Sequence, residues 1–433
     1  MTYQTPFRES IKRLLQRKTV IFSILWLSIL IVIALLAPVI ANDKPFYFSY
    51  EGSFFFPTLS GDENGVIQDK STGKIITVDF TNPEKEINEK AFIIPSPIPY
   101  SPHKSDLNNA DYSGPFDIQT NDEGKELSGT EKHVLGTGRR GEDILSGIIH
   151  GSRVSMTVGI FSMAIAGIIG LILGAIAGYF GDNRLTMSRG RMIMTILGIL
   201  PAWFYGFQLR AFDLEEALNS SVPFLFLQLF ISITIVIVVL FLFNQSGRLL
   251  HFIKWFKKET RLMADSLISR FIEVLISLPK LILIISIAAI SKPSLINLIL
   301  IIGLTSWTEI ARFTRAEMLR VRSLDYIQSA RSLGFSERRI IFLHALPNAI
   351  APALITISFG IAGAILMESA LSFLGIGVPP DIATWGSLLA SGKENFSAWW
   401  LVVFPGLAIF ITVTAFNLLG EGLRDAFDPK MRK

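Results

Sequence analysis

Residues that do covalent chemistry are sparse in this sequence and poorly spaced for it. There is no cysteine, so a thiolate nucleophile, a disulfide framework and a Cys-based zinc site are all excluded. The five histidines, at 103, 133, 150, 251 and 344, are scattered, and neither H-E-x-x-H nor G-x-x-x-x-G-K-[ST] occurs. Serines are plentiful, but none sits in a G-x-S-x-G elbow. No catalytic residue, metal ligand or nucleotide site is therefore expected in this chain. Two acidic residues are candidates of another kind. Glu309 and Glu368 lie near the ends of apolar runs, and ionisable groups at membrane depth line a pathway or pair with a partner, although snorkelling and helix capping explain span ends equally well.

The other candidate is a polar stretch between two apolar ones, DYIQSARSLGFSERRIIFLHALPN at 325–348. Ser323 reads as the N-cap of a short helix through Leu333, with Tyr326, Ala330 and Leu333 on one face and Ala330 keeping that face thin. Gly334 supplies the left-handed residue that ends the helix, Ser336 caps a second helix, and Leu346-Pro347 stops it. Arg331, Arg338 and Arg339 leave the elbow cationic, while Ile340, Ile341 and Leu343 give it apolar grip. That combination is a docking element. An amphipathic loop lying on lipid headgroups accounts for the arginines but not for the small residue and the interposed glycine.

These residues need a scaffold, and composition says which. The chain has 433 residues, 50% of them hydrophobic, with a mean hydropathy of +0.47, which places it among polytopic membrane proteins. Its net charge of +4 is uneven, because residues 42–150 carry 18 acidic and 10 basic groups, leaving the positive excess to the rest. Eight apolar runs follow: 20–41, 154–179, 192–209, 222–243, 272–290, 295–312, 350–367 and 399–419. Arg8, Lys12, Arg13, Arg17 and Lys18 before the first place the N-terminus in the cytoplasm. Val39 and Ala41 faintly resemble a signal-peptide cleavage site, but the run exceeds the roughly 7 to 15 residues of a signal core. The positive-inside rule then sets 42–150 outside, as a polar segment with short β-like pieces. It puts the acidic turn FDLEEALNSS outside and the basic stretch 244–270 inside, the latter as an interfacial helix with Trp255 and Phe256 at the headgroups. The elbow and the tail with Arg424, Lys430, Arg432 and Lys433 are also inside. Gly170, Gly174 and Gly178 recur on one face of the second span, with Gly167 and Gly181 nearby, and form a close-packing face toward another helix, internal or from a partner subunit.

Gln328-Ser329-Ala330, Gly334, Ile341 and Leu346-Pro347-Asn348 together resemble the EAA loop of permease subunits of ATP-binding-cassette importers. HVLGTGRRGEDILSGIIHGSRVS (133–155), GAIAGYFGD (174–182), RFIEVLISLP (270–279), RAEMLRVRSLDY (315–326), ESALSFLGIGVPP (368–380) and GEGLRDAFDP (420–429) narrow the resemblance to the dipeptide/oligopeptide/nickel, or DppC/OppC-like, permeases. IANDKPFYFSYEGSFFFP (40–57) resembles the Yej-type branch, associated with oligopeptide and microcin C uptake.

The resemblance implies an all-α type I importer fold of six family spans plus an inserted hairpin, with a small mixed extracytoplasmic segment. The corresponding division is 1–41, 42–150, 151–183, an insert at 184–264, and a core at 265–433 whose coupling loop is 313–348. It implies that Gln328, Ser329, Ala330, Gly334, Ile341, Leu346 and Pro347 contact ATPase subunits, with Glu368 a gate or pathway candidate and no substrate-binding residue assigned. Implied partners are a homologous second permease, two ATPase subunits that bind ATP and Mg, an extracytoplasmic solute-binding protein and membrane lipid, but no nucleic acid. The expected location is the bacterial inner membrane, with both termini cytoplasmic. Three departures stand out: Gln328 and Ser329 replace the usual Glu-Ala, Gly138 and Gly141-Glu142-Asp143 replace the usual Asp and GRD, and 184–264 interrupts the family pattern. Peptide cargo follows from the resemblance alone, with nickel or another small solute the alternative. A secondary transporter or channel, or an anchored sensor, is the reading from a different class, and stoichiometric ATPase subunits separate them.

Overall fold

A computed structural model describes residues 13–50, 53–62, 64–68, 75–81, 91–219 and 222–427. Arg8, Lys12, Lys430, Arg432 and Lys433, read above as cytoplasmic charges, lie outside these residues. Helices dominate because a backbone in hydrocarbon must satisfy its own polar groups. In chain order the long helices begin with α1 (Lys18–Ile40), α2 (Ile144–Phe180), α3 (Arg189–Trp203) and α4 (Val222–Ser246). They continue with α5 (Ala264–Ser277), α6 (Lys280–Ile290), α7 (Leu295–Val321) and, as the first arm of the elbow, α8 (Asp325–Ser332). The last three are α9 (Ala351–Phe373), α10 (Trp385–Ser391) and α11 (Trp400–Phe427).

Among the described residues seven helices are long and apolar enough to cross a membrane, or eight if the pair α5 and α6, broken at Leu278-Pro279, is one span. Several outrun their apolar stretches. The 27 residues of α7 continue past Arg312 to Val321, and at 1.5 Å per residue that is about 40 Å against a hydrocarbon core of about 30 Å. The acidic stretch expected as a turn is itself helical over Ala211–Asn219.

The chain divides into two compact units. The first comprises Met1–Ala166, Lys280–Ser306 and Leu354–Lys433. Its core packs Leu27, Leu30 and Ala34 of α1 with Met156 of α2, Ile365 of α9, Trp385 of α10 and Phe416 of α11. Arg17 and Asp425 form an ion pair that joins the start of α1 to the end of α11. The polar segment after α1 folds a three-stranded antiparallel sheet, order β2-β1-β5, from β1 (Tyr47–Tyr50), β2 (Ser53–Phe55) and β5 (Phe92–Ile94). The hairpin β3 (Asn64–Gln68) and β4 (Ile75–Asp79) accompanies it, and Phe48, Val78 and Phe80 make its small core.

The second unit comprises Gly167–Pro279 and Trp307–Ala353. Here the glycine stripe meets α7. A Cβ on Gly170 would stand 2.7 Å from Ile310 Cβ, one on Gly174 2.5 Å from the Ala311 carbonyl oxygen, and one on Gly178 2.5 Å from the Arg315 carbonyl oxygen. Backbones approach this closely only where no side chain intervenes, so the stripe is an internal contact. The insert is closed at its base by β6 (Thr186–Ser188) pairing antiparallel with β7 (Glu259–Arg261). Its basic stretch is a 3-10 turn, Leu249–Phe252, and one turn of helix, Lys254–Lys257, instead of the continuous interfacial helix expected. Phe256 is half-buried, and Phe252 takes the exposed place beside Trp255.

Candidate coupling element and a buried carboxylate

The elbow follows α7 directly. Its first helix starts one residue later than the sequence suggests. Leu324 is the extended N-cap residue, because the Ser323 hydroxyl is tied back to the Arg320 carbonyl at 2.7 Å as α7 ends. The helix closes with a Schellman turn. Gly334 N–H donates to the Arg331 carbonyl at 2.9 Å, and Phe335 N–H donates to the Ala330 carbonyl at 3.2 Å. Gly334 sits between them at φ +79°, where residues with a Cβ are strained. Ser336 then occupies the extended N-cap position of Glu337–Arg339, although its side chain makes no capping bond.

The inward face differs from the expected one. Ile327 and Ala330 are buried with Ile340, Ala345 and Ala349 against Ala175, Tyr179, Met318 and Val321. Tyr326 and Leu333 instead point outward, because α2 and α7 lie on the Ile327 side. Pro347 does not stop the second arm. The chain widens into a π-helix over Ile340–Ala345, in which Leu346 N–H reaches the Ile341 carbonyl, and Pro347 falls in the first turn of Leu346–Ala349, where its missing N–H costs nothing.

The two arms are locked by a cluster that the residue pattern did not reveal. The Tyr179 hydroxyl, at the end of α2, donates to Glu337, and Arg331 donates to the Tyr179 hydroxyl at 2.9 Å and to Glu337 at 3.1 and 3.3 Å. Partial burial favours a neutral Glu337, but the bonds from Tyr179 and Arg331 outweigh it and hold the carboxyl below its ordinary range. The bond to Glu337 in turn raises the Arg331 guanidinium. Arg331 is thus an internal clamp, and the free positive charge of the elbow comes from exposed Arg338 and Arg339, the latter lying 4.4 Å over the Phe335 ring. A lone glutamate among three arginines, and a tyrosine at the polar end of the glycine stripe, were the signals available.

Behind the clamp the framework is rigid. Arg322 donates to the Gly178 carbonyl at 2.9 Å, a cation on the C-terminal end of α2. Asp265 of α5 grips Arg315 of α7 with both carboxylate oxygens, and Asp182 accepts from Ser266 N–H at 2.9 Å. Gln328 and Ser329 are exposed, and the Gln328 amide donates to the Ser323 carbonyl at 3.1 Å. Ala330 is buried, Ile341 and Leu346 are half-buried, and Gly334 and Pro347 are exposed. Leu333, Phe342 and Leu343 stand in solvent at 74%, 66% and 64% exposure. The surface so made is cationic with apolar knobs.

Glu368, in the other unit, belongs to a separate arrangement. Fully buried in α9, it accepts from the hydroxyls of Ser155 at 2.9 Å, Ser372 at 2.8 Å and Ser369 at 3.4 Å, with Thr384 also bonded to it. Both carboxylate oxygens are occupied, which ties α2, α9 and the N-cap of α10 at one point. Glu309 lies exposed on α7. A cavity of about 410 Å³ is lined by Tyr112, Arg139, Arg140, Glu142 and Glu394, among others.

Comparison with known proteins decides the family. The Di/tripeptide transport system permease protein DppC of Pseudomonas aeruginosa (strain UCBPP-PA14) is 31% identical over 305 residues, covering 70% of this chain and 74% of the relative. The chain belongs to the DppC/OppC-like permeases of ABC importers. The family described as "Binding-protein-dependent transport system inner membrane component" matches residues 260–433 of this permease, and the "N-terminal TM domain of oligopeptide transport permease C" matches residues 5–55. A peptide transport system permease protein of Brucella suis biovar 1 (strain 1330) is 44% identical over 169 residues, 39% of this chain, which spans 57% of that relative's length. The Dipeptide transport system permease protein DppC of Escherichia coli (strain K12) is 40% identical over 168 residues, covering 39% of this chain and 56% of the relative. The permease elbow falls inside the matched C-terminal region, and residues 56–259 lie outside both family matches.

Proposed function

We propose that this permease forms half of a translocation pathway for peptides or peptide-like solutes in a bacterial inner membrane. A homologous permease completes the pathway, and two ATPase subunits, which bind ATP and Mg, drive it. The observation that carries the reading is the elbow: a Schellman turn at Gly334 and a clamp through Tyr179, Glu337 and Arg331 make two short arms into one rigid lever. Its exposed face, with Gln328, Ser329, Leu333, Phe342 and Leu343, docks on the ATPase. A lever passes on motion only if it does not bend, so the clamp residues transmit force and the exposed residues receive it. Nucleotide binding acts through its different affinity for the two arrangements of the lever, as any two-state coupling must.

Peptide cargo rests on the peptide transport that the relatives are named for, and an extracytoplasmic solute-binding protein delivers it to the side that holds residues 42–150. With α5 and α6 counted as one span, the even number of spans and their basic loops support a cytoplasmic position for both termini and the elbow. Co-expression with the ATPase and permease subunits of the same transport system, followed by purification through this chain, tests the reading. ATPase subunits should elute in stoichiometric amount with a second permease, and Leu333→Asp should release them. Transport by the isolated chain would overturn it.

A further inference from the structure

The inserted hairpin lies almost wholly outside the matched regions, and the coupling mechanism makes no use of it. Its helix α4 is apolar all round, and in the span Leu227–Phe252 only 6% of the most apolar stretch is buried. A helix that is greasy on every side and packed on few is covered by lipid. At the base of the hairpin, α3 and α4 are drawn together at Gly247, where a Cβ would stand 2.5 Å from Arg191 Cα. Two short turns follow before β7 closes on β6. They present Leu249, Phe252 and Trp255 at 75%, 80% and 54% exposure, in direct continuation of the lipid-covered helix.

Between these apolar residues stand Arg248, Lys254, Lys257 and Lys258, all exposed. Among the described residues none of the four has a carboxylate within 4.0 Å, and Glu259 is the only acidic residue from 248 to 261. The array is built. The Trp255 indole is held under the Arg189 guanidinium at 4.9 Å and against Phe256 at 5.0 Å, and the Ser188 hydroxyl meets His251 Nε2 at 2.8 Å. Arg191 donates to Asn244 at 3.0 Å, which fixes the base of the hairpin.

Two properties identify the partner. Exposed aromatic and aliphatic side chains adjoining a lipid-covered helix mark the level of the membrane interface, where indole rings settle. Lysines on flexible stems, without a preorganised bidentate fork, are point charges suited to single phosphates. We propose that residues 248–258 are a foot that binds anionic phospholipid headgroups, with Phe252 and Trp255 entering the acyl boundary and the lysines meeting phosphate. The foot fastens the insert to the cytoplasmic leaflet. It depends on the membrane topology and not on ATPase docking, so the two fail separately.

The test uses the full chain. Native mass spectrometry after extraction from mixed phosphatidylglycerol and phosphatidylcholine vesicles should show phosphatidylglycerol retained in preference. The variant K254Q/K257Q/K258Q should lose that preference. Each lysine near an anionic surface contributes about fivefold, so the loss is on the order of a hundredfold at low salt and shrinks as salt rises. Fluorescence quenching by chain-brominated phosphatidylglycerol should contain a component that disappears in Trp255→Phe. Equal lipid retention by the triple variant would overturn the proposal. So would the absence of that quenched component, competition by inorganic phosphate as effective as by phosphatidylglycerol, or a photo-crosslinker at position 252 that captures an ATPase subunit in place of lipid.

Discussion

Replacing Gly334 isolates backbone conformation from packing. An added Cβ at this position meets nothing within 4 Å, so side-chain volume has no steric consequence within the chain, while φ +79° penalises every residue with a Cβ. For alanine the left-handed region costs roughly 1–2 kcal/mol, and a β-branched residue costs more. The chain can escape the strain only by opening the turn. That sacrifices the bonds from Gly334 N–H and Phe335 N–H, worth about 0.5–1.5 kcal/mol each. The penalty for Gly334→Val therefore saturates near 3 kcal/mol, a ratio of closed to open elbow lowered on the order of a hundredfold. Asparagine, which tolerates this region, should stay close to wild type, and alanine should fall between. Peptide uptake and substrate-stimulated ATPase activity, normalised to membrane abundance, should decline in the order Gly, Asn, Ala, Val. Normal transport by Gly334→Val at normal abundance would refute the reasoning. So would an asparagine variant as defective as valine, because volume and not φ would then be the limiting quantity.

Three further outcomes follow from particular contacts. Tyr179→Phe removes the hydroxyl between Arg331 and Glu337. Since both partners are substantially exposed, the loss should be modest, about 1 kcal/mol, and should appear as ATP hydrolysed per peptide imported and not as lower abundance. Gly174→Leu forces α2 away from α7, where even a Cβ would lie 2.5 Å from the Ala311 carbonyl, and should cost about 3 kcal/mol or more and deplete the protein from the membrane. The third concerns buried His133, whose ring nitrogens lie 2.9 Å from Asp143 and 3.2 Å from Asp106. Burial disfavours the imidazolium, but the two carboxylates outweigh it and raise the pKa above its usual value. A raised histidine stabilises the fold fully below its unfolded pKa near 6.5 and loses that contribution as pH climbs through the folded value. Amide protection factors over residues 100–143, that is, exchange relative to its intrinsic base-catalysed rate, should fall on the alkaline side in the wild type and be flat in His133→Gln.

How much of this was legible in the sequence differs from element to element. The spans could be read because hydrophobic length is a local property, and the glycine stripe because a four-residue period fixes one helix face. Gly334 was legible for the same reason: the left-handed position is a property of one residue. Face assignment on α8 was not, since Ile327 is inward only because α2 and α7 lie on that side. The Tyr179 to Glu337 bond joins positions 158 apart, beyond any periodicity. Ser155 lies 213 residues from Glu368, so the hydroxyl cage of that carboxylate was equally hidden. Pro347 looked like a stop because proline breaks an α-helix, but the wider π-turn before it had already relocated the hydrogen bonds.

The central claim, that the elbow is the handle by which separate ATPase subunits move this permease, can be met directly because the chain contains no cysteine. A single cysteine at Ser329, exposed on the outer face of α8, can carry a short thiol-directed cross-linker in membranes of cells that express the complete transporter. The account predicts a cross-link to an ATPase subunit whose yield changes when nucleotide is trapped. A cysteine that labels only from the extracytoplasmic side, or that cross-links to no ATPase in either nucleotide state, would contradict it.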